Sequence, residues 1–232
     1  MAVAYEREVY DGAGLVEMNA ALLAKADCYK QLGRYGDACS TLARVRLFAL
    51  LPEERTEVLY QQELCRFLDG EFAQAASLVE EVGDSTREAL LLHALVLAYA
   101  GRYDESEIYA ARWLCWDGES PRLPELLALY AGHPASRDAV TAMVLSFLPP
   151  CGHFYSEAYG EGLLSGALNA ASVAFIVANL CGGYWITGIA GGGIALNYTF
   201  MGNQQRTAAL VEQRRTTDAL AFGDRLRAFL LN

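Results

Sequence analysis

Apolar residues recur at helical spacing through the first half of the chain, and the pattern restarts around three glycines. Leu22, Ala26 and Tyr29 share one helical face, and so do Leu90, Ala94 and Leu97. Past Gly33, Gly70 and Gly101 a second apolar stripe follows. These stripes are Tyr35, Ala38, Leu42 and Val45; Phe72, Ala75, Val79 and Val82; and Tyr103, Ser106, Ala110 and Trp113. The glycines lie 37 and 31 residues apart, a period that predicts stacked helix pairs. Glycine accepts the left-handed conformation that closes a helix. The aromatic two residues later then packs into the pair, and the small residue three beyond it lets the helices approach.

Beyond Trp113 the regularity fades. Pro121, Pro124 and Pro134 interrupt the pattern and leave room for a short helix over Glu125–Tyr130. Residues 139–149 are apolar but too short to cross a membrane. From Gly162 to Gln205 the chain has no Asp, Glu, Lys or Arg, where average composition would place about ten charges. This stretch divides at Gly182-Gly183 into two predicted helices, Leu163–Cys181 and Trp185–Met201. They would be about 28 Å and 25 Å long, against a hydrocarbon core of ~30 Å. Tyr184 and Trp185 at the turn, and Tyr198 and Phe200 farther on, suit an interfacial aromatic belt. Gly162/Gly166 and Gly188/Gly192 are G-x-x-x-G pairs, which favour close helix packing. After Arg206 an amphipathic helix returns, with Ala219, Phe222, Leu226 and Phe229 on one face.

Composition narrows the function classes. The 232 residues carry a net charge of −10 and a pI near 4.8, which argues against nucleic acid as a partner. The six cysteines form no C-x-x-C pair and read as buried thiols. An oxidised Cys28–Cys39 pair has nothing in the sequence to support it. No signal peptide is visible in the first residues. Cys151-x-His153 is the best metal or nucleophile candidate. A zinc site needs about four ligands, however, and His93 and His133 have no ligand spacing with it. The glycine-rich "GIAGGGIAL" lacks the lysine of a phosphate loop. The expectation is therefore a protein with no catalytic residue, metal or cofactor, and not an enzyme.

Two resemblances sharpen this picture. Gly33-Tyr35-Ala38, Gly70-Phe72-Ala75 and Gly101-Tyr103-Ser106 resemble the G-x-[YF]-x-x-[AS] core of the tetratricopeptide repeat, over residues 15 to 117. The resemblance implies a helical-hairpin solenoid whose concave face binds a protein or peptide, with Lys25, Gln62 and Arg66 as candidate partner-binding residues. Glu63 departs from it by standing where the repeat has a small residue, so looser or shifted packing is expected there. "LPPCGHFYSEAYGEGL" resembles the P-G-[SA]-G-Q-[FLV]-Y signature that opens small two-helix membrane domains of uncharacterised bacterial proteins, and more loosely the TM2-domain opening. Pro149, Gly152, Phe154, Tyr155, Gly162 and Leu163 match, whereas Pro150, His153 and Ala158 depart. Within this lead-in motif the prolines end a helix, Gly152 turns the chain, the aromatics sit at headgroup level and His153 replaces an interfacial glutamine. Downstream, Gly183, Tyr184 and Trp185 look like that domain's turn, and Gly166, Gly188 and Gly192 serve helix packing.

The expected fold is all-α: a tetratricopeptide-like solenoid (1–117), a cap and linker (118–138), a glycine-rich transmembrane hairpin (139–205) and an amphipathic C-terminal helix (206–232). The expected function is a membrane-anchored scaffold or adaptor of the bacterial inner membrane, in envelope biogenesis or membrane protein assembly. Its partners would be a protein or peptide on the repeats and lipid or another membrane protein along residues 163–201. Arg206, Arg214 and Arg215 place the hairpin ends in the cytoplasm, whereas a signal peptide ahead of this sequence would place the repeats in the periplasm. The alternative is a soluble helical interaction protein whose apolar hairpin is buried in its own core or in an oligomer.

Overall fold

Alanine, leucine and glutamate dominate the periodic segments, and all three favour helix. The computed structural model describes residues 2–10, 14–135, 137–148 and 150–232, and among them helix is the only regular secondary structure. The chain divides into two units. One runs to His133 and adds Ala219–Asn232, and the other is Pro134–Asp218. This division differs from the sequence expectation at both ends. Residues 118–133 stay with the segment before them, and the last helical turns belong to the same unit instead of forming a separate element.

The first unit begins with α1 (Ala2–Tyr10), α2 (Leu15–Gln31), α3 (Tyr35–Leu42) and α4 (Pro52–Asp69). It continues with α5 (Phe72–Ala76), α6 (Val79–Val82), α7 (Arg87–Tyr99), α8 (Tyr103–Leu114) and α9 (Leu123–Ala131). The three repeat glycines adopt φ of +69°, +85° and +76°, which a side chain would strain. Each sits in the same closing pattern. The glycine N–H donates three residues back, and the next N–H donates five residues back: Arg34 to Tyr29, Glu71 to Arg66, and Arg102 to Leu97. This is the Schellman closure that the glycine spacing predicts.

Behind each closure the small residue is fully buried, at Ala38, Ala75 and Ser106. Ser106 keeps its hydroxyl satisfied there by donating to the Ala94 carbonyl at 2.6 Å and meeting the Tyr130 hydroxyl at 2.7 Å. The aromatic of each motif is half-buried. Phe72 stacks on Tyr99 with centroids 4.9 Å apart, and Tyr103 meets Phe222 edge-on at 4.8 Å. Leu22, Leu42 and Val58 anchor one buried cluster, Ala75, Val79 and Val96 the next, and Leu95, Leu126 and Phe222 a third.

The segment around Gly70 is the irregular one. The stripe from Phe72 to Val82 breaks into α5 and α6, although Val79 and Val82 are buried as the pattern predicts. Glu63 is not loosely accommodated: it is completely buried and faces His93 from α7. The α4 helix tolerates a buried carboxylate because an imidazole stands opposite it.

The second unit holds α10 (Ala139–Leu145), α11 (Cys151–Tyr155) and α12 (Tyr159–Cys181). A π-helical turn (Thr187–Gly192) then leads into α13 (Gly193–Leu231), whose last turns lie in the first unit. The α12 helix closes at Gly183, φ +81°, with Tyr184 N–H donating to Asn179 O at 2.9 Å. From that turn the chain doubles back along α12 in one register. Gly188 meets Asn179 and Ile176, Gly192 meets Ile176, Thr199 hydrogen-bonds Asn169, and Arg206 pairs with Glu161.

Candidate functional site

Lys25, Gln62 and Arg66 already serve the fold. Lys25 Nζ lies 2.6 Å from Glu6, whose carboxylate also takes Arg44. These two cations hold the Glu6 carboxyl down at about 2, with the hydrogen bond from Arg44 the largest cause and that from Lys25 next. Gln62 is buried and its amide donates to the Leu42 carbonyl at 3.1 Å, so it ties α4 to α3 and offers no surface to a partner. Arg66 bonds Gln74 and lies 3.5 Å from Glu71, bracing the turn around Gly70. Helical periodicity puts all three on the first helix of a pair. It could not show that neighbouring elements fill their valences.

Buried charge in the first unit concentrates elsewhere. Glu63 and His93 are both inaccessible to solvent, with Nε2 3.1 Å from Oε2. That is ion-pair distance but off line for a full hydrogen bond, and Glu63 Oε1 and His93 Nδ1 meet no partner. Burial pushes the Glu63 carboxyl up, opposed by His93. The Tyr109 ring closes the pair off, edge-on to the imidazole at 5.2 Å. Glu63 attracted notice in the sequence only as a misfit, and His93 carried no signal at all. Nearby, Thr56, Glu57, Tyr60, Thr86 and Glu88 line a surface cleft of about 230 Å³.

The lead-in motif is built differently from its sequence reading. Pro149 lies outside the described residues. Gly152 does not turn the chain but sits buried inside α11, where a Cβ would come 2.9 Å from the Ala142 carbonyl. His153 is buried, not interfacial. Its Nδ1 is 3.5 Å from the Thr207 hydroxyl, and burial lowers its pKa. Tyr155 accepts from the Asp138 backbone N–H at 3.2 Å, tying α11 to the start of α10. Phe154 and His153 lie against Gly162, where a Cβ would meet Phe154 Cε1 at 2.8 Å. Gly166 faces Pro150 more loosely, with 3.8 Å to the nearest atom. Glu157 closes α11 in the left-handed region at φ +61°, an unusual place for a side chain. Arg137 and Arg214 both bind its carboxylate. Among the described residues no group of three metal-ligating side chains occurs, and Cys151 is a free thiol.

The charge-free stretch leaves many of its large apolar side chains exposed. The α12 helix is long and apolar enough to cross a membrane, and only 11% of its apolar window is buried. Among the described residues no other helix meets that test. The second predicted span falls short because the π-turn at Thr187–Gly192 interrupts it and α13 runs on into charged sequence. Leu163, Leu164, Phe175, Ile186, Ile189 and Ile194 are all exposed, as are Tyr184 and Trp185 at the turn. Comparison with family models, curated proteins and solved structures yields no match to this chain.

Proposed function

We propose that this chain is a membrane-anchored scaffold. Helical repeats of tetratricopeptide type hold a protein or peptide, and a glycine-rich transmembrane hairpin fixes them to a bilayer. One observation carries the reading: a helix of membrane-spanning length, without charge after Glu161, leaves its leucines, valines and phenylalanine outside any core. Water would oppose that exposure at about 25 cal/mol for each Å² of apolar surface, whereas hydrocarbon removes the penalty. The same exposure speaks against a soluble protein that buries this hairpin in its own core.

Three polar side chains of the helix hydrogen-bond to its own carbonyls, as a lipid environment favours, whereas the Ser165 hydroxyl is buried without a partner. Asn169 donates to Ser165 O, Ser172 to Leu168 O and Asn179 to Phe175 O. The first charges, Glu161 and Arg206, neutralise each other where the apolar band begins. A hairpin returns both ends to one side, and Arg206, Arg214 and Arg215 favour the cytoplasm. The bacterial inner membrane and envelope assembly are the setting the resemblance implies.

Flotation with liposomes followed by an alkaline carbonate wash tests the anchor. The chain is expected to float and to resist the wash; monodisperse protein in detergent-free buffer that ignores liposomes overturns the proposal. Affinity capture from detergent-solubilised membranes then identifies the partner.

A further inference from the structure

Two polar groups of the charge-free stretch are buried without a partner: the Ser165 hydroxyl on α12 and the Asn203 amide nitrogen on α13. Ser165 is only 5% exposed. The register of the two helices brings these groups to one level. Thr199 donates to Asn169 Oδ1 at 3.0 Å, and Arg206 pairs with Glu161 at 2.8 Å. Ser165 lies four residues before Asn169, and Asn203 four after Thr199, so both fall between those two contacts. Seven residues the other way along each leg, Gly192 lies against Ile176, and the register holds there too. Other polar side chains of α12 turn to the helix itself: Asn169 to Ser165 O, Ser172 to Leu168 O and Asn179 to Phe175 O. Ser165 makes no such bond, and it does not bond Asn203 either. One turn farther along α13, the Thr207 hydroxyl donates to Asn203 O at 2.7 Å and lies 3.5 Å from Nδ1 of buried His153. The level of Ser165 and Asn203 is therefore the unjoined step in a polar seam running from His153 to Asn169.

We propose that one water molecule is bound between Ser165 and Asn203 and joins this seam. It accepts from Ser165 Oγ–H and Asn203 Nδ2–H and donates to Asn169 Oδ1, a carbonyl oxygen with two lone pairs, of which Thr199 takes one. Three hydrogen bonds are the usual complement of a buried water. Facing polar groups that do not bond directly are commonly bridged in this way. The occupant follows from the chemistry of the groups. Asn203 presents N–H, which a cation cannot use, and an anion would lie one turn from the Glu161 carboxylate. Water is neutral and both accepts and donates. Without it, each group would bear the desolvation cost of an unmade hydrogen bond. The site depends on the register of α12 and α13 and not on a bilayer, so it goes beyond the membrane reading.

Nuclear magnetic resonance of the full chain in detergent micelles, isotope-labelled at asparagine nitrogen, tests the site. Asn203→Leu identifies the Asn203 side-chain amide by the signal it removes. In wild type that amide is expected to show cross-peaks to water of opposite sign in the laboratory and rotating frames, the mark of a water that tumbles with the protein. Ser165→Ala removes one of the three hydrogen bonds and is expected to weaken those cross-peaks severalfold, with the Asn179 amide signal unchanged as the check on fold. A wild-type Asn203 amide with no water cross-peak, or one in contact only with the Ser165 hydroxyl, overturns the proposal whatever the variants do. So do undiminished cross-peaks in Ser165→Ala, which would mean that Asn203 reaches bulk solvent. A chain that proves soluble is measured in the same way without detergent, so failure of the membrane reading leaves this result standing.

Discussion

Glu63 and His93 face each other in a part of the first unit with no access to water, and none of their side-chain polar atoms makes a full hydrogen bond. Removing one member of a buried pair strands the other. His93→Ala is therefore expected to cost about 3–5 kcal/mol, measured by urea unfolding at neutral pH. Replacing both with leucine removes the desolvation penalty together with the attraction and should return stability to near or above wild type. The pH dependence has a definite sign. The folded pKa of Glu63 lies above its ordinary 4.5 because burial disfavours the anion. Between 4.5 and the folded value the native state holds a proton that the unfolded chain has released. Stability from this group is thus complete below pH 4.5 and declines as pH rises through the folded pKa. Unfolding curves of wild type and Glu63→Gln across that window should diverge, with the decline absent in Glu63→Gln.

At the scale of elements, two glycines on the chain that returns from Gly183 have opposite roles. A Cβ on Gly192 would come 2.3 Å from Ile176 Cγ1, inside the contact of α12 with the returning chain. Gly202, on α13, has nothing within 4 Å. Gly192→Ala should therefore destabilise by about 1–3 kcal/mol through overpacking. Gly202→Ala should gain about 0.5–1 kcal/mol by replacing a helical glycine. Thermal melting of the detergent-solubilised chain distinguishes the two. A gain at Gly192 would show that the close approach is not real. In the first unit, Gly223 of α13 is the corresponding position, since a Cβ there would fall 2.6 Å from the Tyr99 ring. Beside it the Tyr99 hydroxyl donates to Asp224 at 2.5 Å, and burial together with that carboxylate pushes its pKa up to about 12.

For the whole molecule, the decisive feature is that the last fourteen residues, Ala219–Asn232, complete the first unit. Phe222, Leu226 and Leu230 are buried with Ala94, Leu126 and Tyr130, and Arg122 bonds the Phe229 carbonyl. Each of the three large side chains contributes about 1.5–3 kcal/mol by leaving water. A chain ending at Asp218 should therefore expose the α7–α9 surface. Limited trypsin digestion is expected to cleave the first unit much faster in that truncated chain than in the full one. Equal protection would mean that the terminal turns merely rest on the surface. The second unit is consequently an insertion between α9 and its closing helix, with each of its ends attached to the first unit.

Sequence alone determined the features that depend on local chemistry. Helix closure at Gly33, Gly70 and Gly101 was legible because only residues without a Cβ take positive φ cheaply. The buried Ala38, Ala75 and Ser106 followed from helical periodicity, and the apolar α12 from the missing charges. The amphipathic face at Ala219, Phe222 and Leu226 was visible too, but not what it covers; Leu230 is the more deeply buried at its end, with Phe229 only partly so. Contacts between distant segments were decided by the tertiary structure. Periodicity gives an angle around a helix axis but not the neighbour at that angle. For that reason Gln62 looked free to bind a partner, Glu63 looked misplaced, and His153 looked interfacial. Each was assigned only when another segment packed against it: α3 on Gln62, His93 on Glu63, and Thr207 on His153.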